Sequence, residues 1–249
     1  MNNSALRTVD ILQLLADSPG LSVSQISKQL KIPKTSAFDI LTALTQRGFV
    51  RADEQKTYTL GLSAYRVGMA YIGNTDLYSA AHSRLSLLCE QLGQTVYLAA
   101  EDRGLVVYLD KAEPDAPIRF TRNPGECNQL YRTGLGKAIL AARPELVQAL
   151  SYPLERKTPT TLCTRQELLA DLAATKSRGY ALDIGEDDQL LRCVAVPVRD
   201  HAGVAIGAIS CSMLSSEFEK QDPAVIAQQL TAAALDISQN LGYTATTLY

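Results

Sequence analysis

Tryptophan is absent from this chain, phenylalanine occurs four times and histidine twice. Two histidines, His82 and His201, leave little material for general-base or metal chemistry. The five cysteines, Cys89, Cys127, Cys163, Cys193 and Cys211, are odd in number and show no Cys-x-x-Cys pair. That argues against zinc and against a disulfide framework. No apolar run approaches the ~20 residues of a membrane-spanning helix. The N-terminus lacks the basic-then-apolar pattern of a secretory leader. These absences predict a cytoplasmic protein with reduced thiols, no catalytic centre, no metal, no cofactor and no membrane partner.

Apolar residues make up 46% of the 249 positions, as in ordinary folded proteins, and the length allows one large domain or two small ones. The net charge of −2 is unevenly divided. Residues 1–73 hold eight Lys/Arg against five Asp/Glu, and residues 74–249 hold sixteen against twenty-one. The positive balance lies at the front, a mild asymmetry that either marks a nucleic-acid-binding part or is a chance fluctuation.

Leu6, Val9, Leu12 and Ala16 recur at helical spacing, widened by Ile11, Leu14 and Leu15, and this first helix ends near "DSPG". "SVSQISKQL" carries a capping-box pattern, Ser22 with Gln25 three residues on, and an apolar side of Val23, Ile26 and Leu30. A short turn leads to Pro33, suited to the first turn of a third helix. Its apolar face is Ala37, Ile40, Leu41 and Leu44, and Gly48 closes it. "GFVRADEQKTYTLG" reads as a hairpin. Helix, helix, turn, helix, hairpin is the order of a winged helix-turn-helix. Lys34, Thr35 and Ser36 then stand at the start of the recognition helix, where a cation, hydroxyls and helix-end N–H groups can meet phosphate or base edges. Thr35 and Ser36 as simple helix caps is the alternative. Phe38 and Asp39 are counted with this face, and the wing adds Arg51, Lys56 and Thr57. The expected bounds are 1–60 for the winged helix, 61–75 for a linker helix and 76–249 for the rest.

The second region mixes strands and helices. A helix covers about 77–92 and stops at Gly93. "TVYLAAEDRGLVVYLDK" reads as a hairpin, and "IRFT" as a possible third strand. "TGLGKAILAA" opens on glycines and becomes a helix. "TRQELLADLAATKSRG" starts with the Thr164/Glu167 capping box and ends at Gly179. "GYALD" reads as a short strand, and "RCVAVPVRDHAGVAIGAISCS" as a second hairpin turning at Asp200–Gly203. Asp222 caps a last helix with Pro223 at its first position. The fold class is mixed α/β: the winged helix-turn-helix followed by an antiparallel sheet with helices on its faces, an α+β sensor-like domain.

At this point the sequence resembles the IclR-type family of bacterial transcription regulators. The resemblance spans nearly the whole chain. It rests on "LRTVDILQLLADSPGLSVSQISKQLKIPKTSAFDILTALTQRGFV" in front. Behind it are "VVYLDK", "TGLGKAILA", "SRGYALD", "RCVAVPVRDHAG" and "AISCS". It implies a GAF-like effector-binding domain behind the winged helix. It also implies a homodimer or a dimer of dimers (a homotetramer), double-stranded operator DNA and a small-molecule effector as partners, and repression of a catabolic operon. The sequence departs from the family at Asp39, where Arg is usual, and at "NQLYRT" before "GLGKA". There Gln129, Tyr131 and Arg132 are expected to change the polarity of the pocket rim.

Gly134, Leu135 and Gly136 at a helix start let a ligand approach and offer free N–H groups to an anion. By resemblance, Asp183, Leu191, Cys193, Ser210 and Ser212 line the ligand site. Alternation puts Ser210 and Ser212 on one strand face with Cys211 opposite. They are either part of a pocket suited to a carboxylate or polyol, or a solvated strand edge. Few aromatic residues occur near these positions, so a small carboxylate or sugar acid is the expected effector. Two other readings are weighed. One is a helix-turn-helix adaptor or small-molecule sensor acting through protein contacts. The other, an enzyme using Cys193 and His201, is disfavoured because His201 falls in a hairpin turn.

Overall fold

The computed structural model describes residues 3–73, 76–115 and 122–249. The chain divides into two compact units, Met1–Thr75 and Asp76–Tyr249.

The first unit runs α1 (Asn3–Asp17), β1 (Leu21–Ser22), α2 (Val23–Leu30), α3 (Lys34–Gln46), β2 (Val50–Ala52), β3 (Thr57–Leu60) and α4 (Leu62–Gly73). The capping box of α2 forms: Gln25 N–H donates to the Ser22 hydroxyl, and Ser22 N–H donates to Gln25 Oε1. Ile26, Ala37, Leu41 and Val50 pack with Ile11 and Leu15 of α1. The α1 stripe thus differs from expectation. Leu6, Val9 and Ala16 are exposed, and the residues read as widening the stripe carry the burial. The helix has more apolar surface than one small core can cover, and Ile11 and Leu15 are four apart on the face that meets α2 and α3. Pro33 also differs. It lies just outside α3, with φ −56° and ψ 138°, and its carbonyl accepts the first helical bond from Ala37 N–H at 3.0 Å. Lys34, Thr35 and Ser36 are therefore the first three helical residues, and their N–H groups precede the ladder. The hairpin gains a third strand, in the order β1-β3-β2.

The second unit holds one six-stranded antiparallel sheet in the order β6-β5-β4-β9-β8-β7. Its strands are β4 (Thr95–Asp102), β5 (Leu105–Ala112), β6 (Cys127–Gln129), β7 (Ala181–Asp183), β8 (Leu191–Arg199) and β9 (Ala205–Leu214). On one face α5 (Asp76–Leu92) and α10 (Pro223–Asn240) bury Val96, Leu98, Val194, Val196, Ile209 and Cys211. On the other, α6 (Gly134–Ala142), α7 (Pro144–Gln148) and α8 (Arg165–Arg178) bury Tyr97, Ala99, Tyr108, Ala195 and Ala208. The period-2 pleat sorts these two sets. It puts Cys193, Ser210 and Ser212 on the α6 side. The short β6, α7 and α9 (Ser215–Phe218) were not expected from the sequence. The expected "IRFT" strand lies outside the described residues.

Candidate functional site

The first unit presents α3 and its wing. Lys34, Thr35, Phe38 and Asp39 are exposed. With Val23, Gln55, Lys56 and Tyr58 they line a groove between α3, the start of α2 and the wing turn. Ser36 is half-buried and accepts a hydrogen bond from Arg7 of α1 at 3.2 Å, so α1 orients its hydroxyl. In the wing, the Asp53 carboxylate accepts from Gln55 N–H, Thr57 N–H and the Thr57 hydroxyl. This tie allows Lys56 a positive φ of 58° and sets it at the exposed tip. Those hydrogen bonds from Thr57 hold the Asp53 carboxyl below its ordinary range. Arg51 is exposed, its Nε donating to Thr59 at 3.0 Å. Lys34, Thr35, Phe38, Asp39 and Lys56 are thus brought together along one groove, Ser36 and Thr57 are engaged within the unit, and Arg51 lies apart, lining a separate hollow with Leu60, Leu62 and Tyr65.

The second unit holds a cavity of about 220 Å³ against the sheet. Register builds its floor: Tyr97 stands opposite Ser210, Ser212 opposite Cys193, and Cys193 opposite Asp183. The wall is the first turn of α6. Thr133 caps that helix by accepting from Gly136 N–H at 3.1 Å, and Lys137 N–H donates to its carbonyl at 2.9 Å. Gly134 and Leu135, which line the cavity, carry N–H groups that no helical carbonyl takes. Gly134 lies so near β8 that a Cβ would meet Cys193 Cβ at 3.2 Å.

Of the eight residues read as effector-binding, Gly134, Leu135, Asp183, Leu191, Cys193, Ser210 and Ser212 line this cavity. Gly136 does not. Its Cα faces Leu130, whose carbonyl a Cβ would meet at 2.1 Å, so this glycine serves close packing. Ser210 is buried on a central strand, which removes the solvated-edge alternative. Tyr97, Tyr108, Arg122, Thr133, Asp187 and Asp188 also line the cavity. Tyr97 and Tyr108 pack edge-on with ring centroids 5.3 Å apart. The expectation of few aromatics near the site is therefore corrected: adjacent strands deliver two rings that lie far from the glycines in sequence. Gln129, Tyr131 and Arg132 act from outside the lining. Tyr131 donates to the Glu155 carbonyl, and Arg132 pairs with Asp187.

Burial, with Glu186 nearby, pushes the Asp183 carboxyl up to about 7. Its Oδ1 accepts from Glu186 N–H at 2.7 Å, so the side chain both faces the cavity and ties the following loop. Burial, and then Asp183, push the Cys193 thiol well up, so it remains a thiol, with its sulfur 3.1 Å from Ser212 Oγ. Asp187 goes the other way. Burial opposes the shift, but hydrogen bonds from Lys157 and Asn128 hold its carboxyl below its ordinary range. No group of three His, Cys, Asp or Glu suited to a metal ion occurs among the described residues, nor any helix long and apolar enough to cross a membrane.

A winged helix with an open recognition face, in one chain with an α+β unit that keeps a polar cavity against its sheet, defines a DNA-binding transcription regulator with a ligand-sensing domain. Two family models match: the IclR helix-turn-helix domain over residues 4–54, and the bacterial transcriptional regulator IclR C-terminal domain over residues 69–239. The chain is 34% identical to the HTH-type transcriptional regulator XynR of Escherichia coli K12, over 97% of this chain and 98% of that protein. It is 34% identical to the HTH-type transcriptional repressor AllR of the same strain, over 95% and 89%. The crystal structure of an IclR homologue from Microbacterium hydrocarbonoxydans, complexed with 4-hydroxybenzoate, has the same fold, with a TM-score of 0.84 at 20% identity over 96% of this chain and 99% of that one. The chain belongs to the IclR family of bacterial transcriptional regulators.

Proposed function

We propose that the protein represses a catabolic operon in the cytoplasm and responds to a small carboxylate or sugar acid held in the cavity of its second unit. Residues 1–60 bind operator DNA, with Lys34, Thr35, Ser36, Phe38 and Asp39 toward the major groove and Arg51, Lys56 and Thr57 toward the backbone. Residues 61–75 link, and residues 76–249 bind the effector through Gly134, Leu135, Asp183, Leu191, Cys193, Ser210 and Ser212. The protein acts as a dimer or a dimer of dimers, without enzymatic turnover.

The observation that carries this reading is the convergence on one small cavity of the α6 N–H groups, two serine hydroxyls and a neutral-leaning carboxyl. Such an inventory donates to an acid and accepts from hydroxyls. Repression is supported by AllR's designation as a repressor. An acidic ligand is supported by the 4-hydroxybenzoate bound to the Microbacterium hydrocarbonoxydans homologue.

The test pairs a thermal-shift screen of small acids with gel shifts on duplex DNA from the chain's own upstream region. A ligand that binds only the folded state raises the melting temperature. The same ligand is expected to weaken DNA binding, because it must favour one of two states to act. A ligand that stabilises the protein and leaves DNA affinity unchanged overturns the regulatory part of this reading.

A further inference from the structure

Arg122 is the one cation lining the cavity among the described residues. Its backbone N–H donates to the Tyr97 hydroxyl at 3.1 Å, which fixes where the side chain begins. One guanidinium nitrogen lies 2.9 Å from Asp187 Oδ2, and another 3.7 Å from Glu126. The Asp187 side chain is only 9% exposed, and its other oxygen is taken by Arg132 at 2.9 Å and Lys157 at 2.8 Å. Three cations therefore share one buried carboxylate. Asp187 keeps two of them if Arg122 turns away, so the pair with Arg122 is the replaceable one.

The α6 wall carries the same sign of preference, while Asp183, raised to about 7 by burial, and Asp188 are the carboxylates on the other side of the balance. The α6 N-terminus places unpaired N–H groups and the positive end of a helix dipole on the wall. Asp188 is turned to its own loop, its Oδ1 accepting from Leu190 N–H at 2.9 Å. A guanidinium offers two parallel N–H donors that match both oxygens of a carboxylate, which a hydroxyl or amide cannot use in the same way.

Resting on the reading of this cavity as the effector site, we propose that Arg122 is its specificity-determining residue: it recognises a carboxylate on the effector, and the effector competes with Asp187 for the guanidinium. One ion pair is exchanged for another. The two halves of the Arg122–Asp187 pair then have opposite effects on ligand affinity. A bridge that merely held the cavity together would weaken binding from either side.

The experiment uses full-length protein with pyruvate, glycolate, gluconate, benzoate and 4-hydroxybenzoate, each beside its neutral amide, first by thermal shift and then by calorimetry. At least one acid is expected to bind and its amide to bind far more weakly. Arg122→Gln is expected to weaken that acid about 10–100-fold, the size of a lost charge-assisted hydrogen-bond pair. Arg122→Lys should recover only part, since the charge returns without the fork. Asp187→Asn should tighten the acid. The proposal is overturned by failure of every acid to bind, by equal binding of acid and amide, by an Arg122→Gln variant with unchanged acid affinity, or by an Asp187→Asn variant weakened like Arg122→Gln. Should Asp187→Asn not fold, the acid-to-amide ratio across wild type, Arg122→Lys and Arg122→Gln decides, with collapse of the ratio in the glutamine variant expected. Ser210→Ala with Ser212→Ala separates the two levels. A ligand sensitive to the serines and indifferent to Arg122 keeps the cavity and removes the proposal. A ligand indifferent to both removes the cavity as the effector site.

Discussion

Lys137 and Glu186 form a buried ion pair, 2.5 Å apart, that joins the middle of α6 to the loop between β7 and β8. The lysine side chain is 1% exposed and also lies 3.1 Å from Asp171 of α8. Removing one partner of a buried pair leaves the other charge uncompensated, at a cost of about 3–5 kcal/mol. Lys137→Met is expected to lose stability on that scale in denaturant unfolding. Adding Glu186→Gln should recover much of it, because the buried carboxylate is then gone, and Asp171, 23% exposed, keeps Arg178 at 3.6 Å. A Lys137→Met variant of unchanged stability would show that the pair contributes nothing net.

Asp183 gives the fold a pH dependence of defined sign. Burial raises its carboxyl from 3.8 to about 7, so between those values the folded chain holds a proton that the unfolded chain has released. The folded state binds more protons there, and stability therefore falls as pH rises through that window and levels off above it. Asp183→Asn should flatten that part of the profile. Melting temperatures at about pH 5 and about pH 8 check it, with a smaller drop expected in the variant. Equal drops would assign the proton to another group.

The wing and the recognition helix should respond differently to substitution. Lys56 stands at an exposed turn tip, so Lys56→Ala should weaken all duplexes alike and reduce the salt slope by about one contact. Phe38 is 54% exposed on the same face as Thr35, and on the proposed reading of this face its ring would meet a thymine methyl. On duplexes selected from a random pool, replacing one thymine by deoxyuridine should weaken wild type and leave Phe38→Ala no weaker than before. Sensitivity of Phe38→Ala to that exchange would assign the methyl to another residue.

Assembly should run through the first unit. Leu6 and Val9 on α1 and Leu62, Tyr65 and Val67 on α4 are all half or more exposed, an apolar surface that a lone module has no reason to leave in water. Light scattering at micromolar concentration should report a dimer or larger, and Tyr65→Glu with Val9→Glu should shift it toward monomer. A wild-type monomer under those conditions sinks the expectation.

Local rules made much of this molecule readable. The Ser22/Gln25 and Thr164/Glu167 boxes, Asp222 with Pro223, and Gly179 after α8 each act within a few residues, and each forms. Alternation along β9 put Ser210 and Ser212 on one face before any partner strand was known. What escaped was long-range. Arg122 meets Asp187 across 65 residues, and Lys137 meets Glu186 across 49. No periodicity encodes such pairs. Tyr97 and Tyr108 reach the cavity only because β4 lies in register beside β9 and β5 beside β4. In α1, spacing alone could not separate the face that packs from the apolar face that remains outside, since both repeat at helical intervals.

The loop after β7 is fastened from several directions. Thr158, Thr160 and Thr161 donate to the carbonyls of Gly185 and Glu186. Lys137 holds the Glu186 carboxylate, and Arg122, Arg132 and Lys157 hold Asp187. The shape of this cavity wall is therefore not set by one strand or one loop. Exchanging the "GEDD" segment alone between relatives separates its carboxylates from the cations that hold them. Such chimaeras should misplace the cavity wall unless residues 122, 132, 137 and 157–161 travel with it, so the loop and its cations are exchanged as one unit or not at all.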